Sequence, residues 1–142
     1  MPYPIALATT DADLARCHAV MVQLRPHLTA AEFPGRVRHQ QTEGYHLAFL
    51  EAEGQVRTVA GFRYMDRLTI GRVMYVDDLA TDANSRSRGY GDAMFEWLTA
   101  QARSSQCQSL LLDSGTHRVD AHRFYLRKRM RISAFHFDLP LR

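Results

Sequence analysis

The 142-residue sequence predicts an α+β fold with a mixed, mostly antiparallel central sheet flanked by helices. Three observations carry that expectation. Helical periodicity comes first, in two segments before residue 42; a run of period-two segments separated by glycine turns follows; the chain then alternates strand, helix, strand, helix, strand. At this length one domain, spanning 1–142, is expected.

Taken in order, Asp11 to Leu24 sets Leu14, Cys17, Met21 and Leu24 on one helical face behind Asp11 as the expected cap, and Pro26 ends it. A weaker helix is expected over Thr29 to Gln41, with Phe33 and Val37 turned inward. The period then changes to two. Tyr45 to Glu51 and Val56 to Met65 read as strands joined by a hairpin around Gly54, and "RTVAGF" at Arg57 to Phe62 reads as core strand. Asp66 to Gly71 is a turn. Val73 to Thr81, "VMYVDDLAT", starts as a buried strand and then places Asp77 and Asp78 where the sheet should continue; such a conflict marks a functional position. From Gly89 to about Arg103, Tyr90, Ala93, Met94, Trp97 and Leu98 form a core stripe. Ser109 to Asp113 is a short buried strand, Val119 to Arg129 a helix, and Ser133 to Leu139 a last strand with Phe135, Phe137 and Leu139 on one face.

Composition narrows the class of protein. Hydrophobic residues are 46% and charged ones 23%, which suits a globular chain and neither a disordered nor a membrane one. No apolar run reaches the ~18 residues of a membrane span, and the first residues lack a basic region followed by an apolar core, so a cytoplasmic location is expected. Cys17 and Cys107 have neither metal nor redox spacing and read as reduced thiols. His117 and His122, five apart, do not share a helical face, so no metal site is expected. The net charge is +3, and Lys128 is the only lysine.

The stretch "NSRSRGYGDAMFEWL" puts Arg86, Arg88, Gly89 and Gly91 at a helix start. A helix start carries unpaired amide hydrogens and partial positive charge; glycines let the backbone come close, and arginines add charge-assisted bonds. A pyrophosphate fits this arrangement. The dinucleotide-binding pattern fails, because Met94 stands at its third glycine, and a P-loop lysine is absent. Taken alone, the run reads more often as a solvated turn.

It does not stand alone. Strand "YVDDLAT", turn "DANSRSRGYG", helix "DAMFEWL", strand "LLLD" and helix "AHRFYLRKR" resemble, in order and spacing, the acetyl-CoA-binding core of the GNAT superfamily of N-acetyltransferases. The family's Q/R-x-x-G-x-G/A motif is matched by Arg86, Ser87, Arg88, Gly89, Tyr90 and Gly91, and its second motif by Ala121, Phe124 and Tyr125. The resemblance covers about Tyr45 to Phe137. It implies a GNAT-like sheet, acetyl-CoA as acyl donor with its pyrophosphate on the amides of Arg86, Ser87, Arg88, Gly89, Tyr90, Gly91 and Asp92, and its pantetheine arm paired with the main chain of Leu79, Ala80 and Thr81. Two departures stand out: Ser87 replaces a common glycine, and Arg129 with Met130 replaces a glycine–aromatic pair after the last helix. A left-handed Arg129 is strained by roughly 1–2 kcal/mol.

Acetyl transfer needs a neutral nitrogen, and an ammonium of pKa about 10.4 is neutral in only about four molecules per ten thousand at pH 7. A carboxylate that holds the ammonium and passes on its proton offsets that shortfall. Asp77 and Asp78 resemble the acidic pair of diamine acetyltransferases, which implies Asp77 as base, directly or through water, and Asp78 as the residue that binds substrate or acts as structural partner. Strand alternation puts the two on opposite faces unless a bulge realigns one. The resemblance gives Tyr125 the role of general acid toward the departing thiolate. The expected function is N-acetylation of a primary amine, first a small molecule's, by direct attack in a ternary complex, with a homodimer as an expected partner state and neither nucleic acid nor membrane as partners. The alternatives are acetylation of a protein lysine or N-terminus and, from the cluster Arg127, Lys128, Arg129 and Arg131, a small basic nucleic-acid-binding domain.

Overall fold

A computed structural model describes residues 3–142. The chain divides into two compact units between Leu111 and Leu112. The first holds strands β1 (Ile5–Leu7), β2 (His46–Ala52), β3 (Gln55–Arg67) and β4 (Gly71–Thr81) and helices α1 (Asp11–Leu24), α2 (Phe33–Gln41) and α3 (Tyr90–Ser104). Strand β5 (Ser109–Leu112) has its first three residues in this unit, and the sheet runs in the order β1-β2-β3-β4-β5. The first four strands pair antiparallel; β4 and β5 are joined by the crossover helix α3, the connection of a parallel pair. The expected α+β class with a mixed, mostly antiparallel sheet is the class observed.

Alternation along the strands sorts the core into two layers. Leu47, Phe49 and Val59 join Leu14, Cys17, Val20 and Met21 of α1 and Phe33 and Val37 of α2 on one face. The intervening residues turn the other way, where Phe62 meets Trp97 of α3 edge-on at 6.0 Å between ring centres. Tyr90, Met94, Phe95, Leu98 and Ala102 make the buried stripe of α3. Each such large apolar side chain contributes about 1.5–3 kcal/mol on leaving water. Trp97 and Ala93, expected in that stripe, are half-buried.

Several boundaries differ from expectation for local reasons. Thr10, not Asp11, caps α1, its hydroxyl accepting from the Asp13 amide at 3.1 Å. Helix α2 begins at Phe33 rather than Thr29, with Pro34 in its first turn where a missing N–H costs nothing. The short β1 lay below the length at which periodicity speaks. Glu53 and Gly54 both take positive φ, the backbone of a two-residue hairpin. Strand β5, expected buried, is half-buried throughout.

The second unit carries α4 (Val119–Arg127) and residues 128–142. After α4 the Arg129 amide donates to Leu126 O at 3.0 Å and the Met130 amide to Tyr125 O at 3.1 Å, with Arg129 at φ 67°. This is the left-handed helix end that glycine favours, here made by arginine. The strand expected over Ser133 to Leu139 is not formed: residues 130–142 belong to no helix or strand, and Phe135, Phe137 and Leu139 are solvent-exposed. Their alternation is a strand pattern, but a strand exists only where main-chain partners are within reach.

Candidate active site

The loop between β4 and α3 is built to present amide hydrogens. A short 3₁₀ turn at Ala83–Ser85 leads into Arg86, Ser87 at φ 67°, Arg88, and Gly89 at φ 81°, which caps α3. Left-handed residues two apart curl successive N–H groups toward one side, forming an anion-binding nest. The first helical amide bond from this region is Ala93 N to Gly89 O at 3.0 Å. Among the described residues, the amides of Arg86, Ser87, Arg88, Gly89, Tyr90 and Gly91 have no acceptor in the protein. A Cβ built on Gly89 meets nothing within 4 Å, so the space beside this backbone is open. Arg86 and Arg88 are exposed at the rim; Arg88 lies 3.8 Å from Glu53 and, with Tyr3, Tyr90 and the β2–β3 hairpin, lines a depression of about 550 Å³.

Residues that the sequence did not point to hold this loop. Asp82 accepts from Gln23 Nε2 and Ser85 Oγ, each at 3.0 Å, and Gln23 Oε1 takes the Ala83 amide at 2.9 Å. Arg57 Nη1 donates to Ser85 Oγ at 3.1 Å, and the Asp82 amide donates to the Arg57 carbonyl at 2.7 Å. The Gln23 bond foremost, with those of Ser85 and Asn84 and the charge of Arg57, holds the Asp82 carboxyl below its usual range against the opposing cost of burial. Gln23 and Arg57 carry no motif; only the fold brings them to the loop.

Strand β4 changes character at Asp77. The register pairs Gly61 with Asp78 and Phe62 with Val76, leaving Asp77 as the extra residue of a bulge. The bulge brings both carboxylates into one network on the α1/α2 face. Asp78 Oδ1 accepts from Arg25 Nε at 2.9 Å and Oδ2 from the Tyr45 hydroxyl at 2.7 Å. Asp77 Oδ2 accepts from Arg63 Nε at 2.8 Å, and Arg25 Nη2 donates to the Asp77 carbonyl at 3.0 Å. Burial raises the Asp77 carboxyl above its usual range, against the Arg63 bond and charge, which pull it down. Burial foremost, then Asp78, raises the Tyr45 phenol well above its ordinary value. Gly61 makes room for the ring: a Cβ there would overlap the Tyr45 hydroxyl oxygen. A glycine inside an apolar strand was the one sequence signal for this close approach.

Beyond the bulge, Leu79, Ala80 and Thr81 pair with Ala60, Val59 and Thr58 on the β3 side. On the other side, β5 joins where the Gln108 amide donates to Arg72 O at 2.7 Å and runs only four residues. At equal rise per residue it reaches about the level of Val76, so the outer main-chain groups of residues 79–81 lie past its end, where an extended amide chain can add as a strand.

Tyr125 lies in the second unit on α4, half-buried, its phenol raised by burial against the pull of Arg118. His122 Nε2 lies 2.8 Å from Gly115 O. No group of three or more His, Cys, Asp or Glu side chains gathers at metal-binding distance among the described residues. Cys17 is buried in the core and its thiol is pushed up to about 12, chiefly by burial, which removes it as a nucleophile. No helix is long and apolar enough to cross a membrane among the described residues.

An amide nest at a helix start, beside a strand whose outer edge runs past the end of its neighbour, is suited to an extended, phosphate-bearing ligand. Residues 12–130 match the profile of the acetyltransferase (GNAT) family, and the chain belongs to that family. It is 30% identical over 135 residues to a protein of Bacillus subtilis (strain 168) named as the uncharacterized N-acetyltransferase YhdJ, covering 94% of this chain and 95% of that one. Among solved structures it is similar to a ribosomal-protein-alanine N-acetyltransferase from Brucella melitensis biovar Abortus 2308 (TM-score 0.83, 14% identity, 97% of this chain and 99% of that one). It is also similar to glucosamine-6-phosphate N-acetyltransferase from Arabidopsis thaliana (TM-score 0.75, 17% identity, 98% and 99%). The protein is an acyl-CoA-dependent N-acetyltransferase, and the family uses acetyl-CoA as acyl donor.

Proposed function

We propose that this enzyme acetylates the primary amine of a small molecule by direct attack of the nitrogen in a ternary complex. The observation that carries the reading is the set of six unpartnered amides from Arg86 to Gly91 at the start of α3. With Asp92 they hold the pyrophosphate of acetyl-CoA, and Leu79, Ala80 and Thr81 align its pantetheine arm by strand addition. The cosubstrate supplies the activated acetyl group; the chain binds, orients and moves protons.

Asp77 is the base in this reading. It sits at the bulge, its carboxyl raised by burial and therefore more basic than a surface aspartate, and Oδ1 has no partner in the chain among the described residues. It accepts the acceptor's ammonium proton there, directly or through water. Asp78, with both oxygens engaged by Arg25 and Tyr45, serves as the structural partner that keeps the acceptor side in place. Tyr125 hands its phenolic proton to the departing thiolate; burial keeps that phenol protonated at neutral pH. Cys17, buried and protonated, offers no covalent route.

Asp77 and Asp78 are balanced by Arg63 and Arg25, so the cluster has no surplus negative charge, which favours an acceptor with one amine over a polyamine. The two named structural relatives act on a protein and on a sugar phosphate, so the fold alone leaves the acceptor open. The test is release of free thiol from acetyl-CoA across amino acids, amino sugars, aminoglycosides, polyamines and peptides. A small mono-amine is expected to react fastest. Turnover confined to peptides would move the reading to a protein acetyltransferase, and coenzyme A that gives no heat on calorimetric titration would end it.

A further inference from the structure

The mixed-charge cluster at the β4 bulge is balanced but not saturated. Asp77 and Asp78 bring two negative charges and Arg25 and Arg63 two positive ones, so the four side chains sum to zero. Asp78 has both oxygens engaged; Asp77 has only Oδ2 engaged, and its Oδ1 has no partner among the described residues. The Asp77 side chain is 24% exposed, so a ligand can reach that oxygen.

The two arginines are used to different extents. Arg63 gives Nε to Asp77 and Nη2 to Gln40 Oε1 at 3.1 Å, and its guanidinium lies 5.5 Å from the centre of the Tyr45 ring, which covers one face. Arg25 gives Nε to Asp78 and Nη2 to the Asp77 carbonyl, both from one edge. Its Nη1 has no acceptor among the described residues, and its side chain is 42% exposed. A guanidinium carries five N–H donors on a planar fork, so the outer edge stays competent for a second anion while the inner edge holds the first. Arg25 is also fixed in place: its amide closes α1 on Met21 O at 2.8 Å, and Pro26 restricts its backbone.

We propose that the acceptor is an amino acid, whose carboxylate pairs with the outer edge of Arg25 while its amine binds at Asp77 Oδ1. The inference rests on acetyl transfer at this site and adds the substrate class. Geometry favours a zwitterion, because both receiving groups are tied to one residue: Arg25 holds the Asp77 carbonyl at 3.0 Å, which suits an amine and a carboxylate only a few bonds apart. Charge agrees. An ammonium alone would leave the cluster with a surplus positive charge, a cost in a partly buried site, whereas an amino acid leaves the sum at zero. That balance survives the reaction. The nitrogen gives one proton to Asp77, bonds the acetyl carbon as the C–S bond breaks, and yields a second proton that balances the one taken by the departing sulfur. A neutral Asp77 and an N-acetyl carboxylate on Arg25 then leave the sum unchanged.

The experiment is free-thiol release from acetyl-CoA with glycine, β-alanine, 4-aminobutyrate, leucine and phenylalanine, each against its own carboxamide. The best amino acid is expected to exceed its carboxamide in kcat/KM by about 10- to 150-fold, the worth of one bond between charged groups, mostly through KM. In Arg25→Gln that ratio should fall to about one, whereas a merely structural Arg25 would slow both substrates alike and leave the ratio standing. Carboxamides that react as well as the acids, or a ratio unchanged in the variant, overturn the proposal and leave acetyl transfer intact. Silence with every amine in the presence of bound coenzyme A ends the acetyl-transfer reading itself, and the proposal with it. Should Arg25→Gln fail to fold, calorimetry on the wild type with coenzyme A decides: the amine-free carboxylate matching the best acceptor should bind more tightly than its carboxamide, and equal affinities refute the assignment.

Discussion

Replacing Gly89 with alanine separates the two things that residue does. Its φ of 81° is left-handed, where an L side chain costs roughly 1–2 kcal/mol. Alanine recovers part of that, about 0.4–1 kcal/mol, by restricting the unfolded chain. A Cβ at Gly89 meets no atom within 4 Å, so no clash adds to the sum. The net expectation is a loss of about 1 kcal/mol, a fall of about 2–4 °C in melting temperature for a chain of this size. Coenzyme A binding is expected to suffer far more, because the space that is empty around the added methyl is the space an anion must enter to reach the amides of residues 86–91. Losing one bond to a charged group costs about 1.5–3 kcal/mol, which raises Kd roughly 10- to 150-fold. Calorimetric titration well below the melting temperature, alongside a thermal melt, reads both quantities. A variant that melts as expected and binds coenzyme A within twofold of wild type would refute the assignment of the anion to this backbone.

Other perturbations probe other parts. Tyr125→Phe should lower kcat about 100-fold or more with little change in KM, and unchanged turnover across pH would remove the acid role. In wild type the acid limb of kcat/KM is expected to lie above the ordinary aspartate value of 3.8, since burial raises Asp77 and only its ionised form takes the proton; Asp77→Asn should abolish that limb with most of the rate, and a limb that persists would exclude Asp77 as base. Gly61→Ala drives a methyl into the Tyr45 hydroxyl and should cost about 1–3 kcal/mol in urea denaturation, whereas a neutral result would mean that the ring relocates freely. Arg129→Gly should instead stabilise, by about 0.5–1 kcal/mol, because it relieves a left-handed arginine at φ 67° whose side chain is exposed; a destabilised variant would show that Arg129 makes a contact of its own.

The loop and the acidic pair were legible to different depths. The backbone of "RSRGYG" was legible because a left-handed entry to a helix selects glycine, while the run alone read as a solvated turn and took a ligand only from the resemblance of its neighbours. The ligands of Asp77 and Asp78 were not legible, because Arg25, Tyr45 and Arg63 come from three separate elements that only the fold assembles. Strand alternation alone would have parted the two carboxylates. One extra residue at Asp77 joins them, and a bulge is set by how β3 and β4 pair, with Gly61 as its only trace in sequence.

The C-terminal segment shows where periodicity stops being informative. Alternation of Phe135, Phe137 and Leu139 states that a segment gains by lying on a sheet; it does not state which sheet, since hydrogen bonding and burial are equally favourable to an edge in the same chain or in another. The same holds for the leucines of β5: a three-leucine run predicts full burial, and the strand is half-buried throughout. Two departures from expectation, a strand that does not form and a strand that is only half-buried, have one source: a sequence pattern states a preference for burial and cannot name the surface that supplies it.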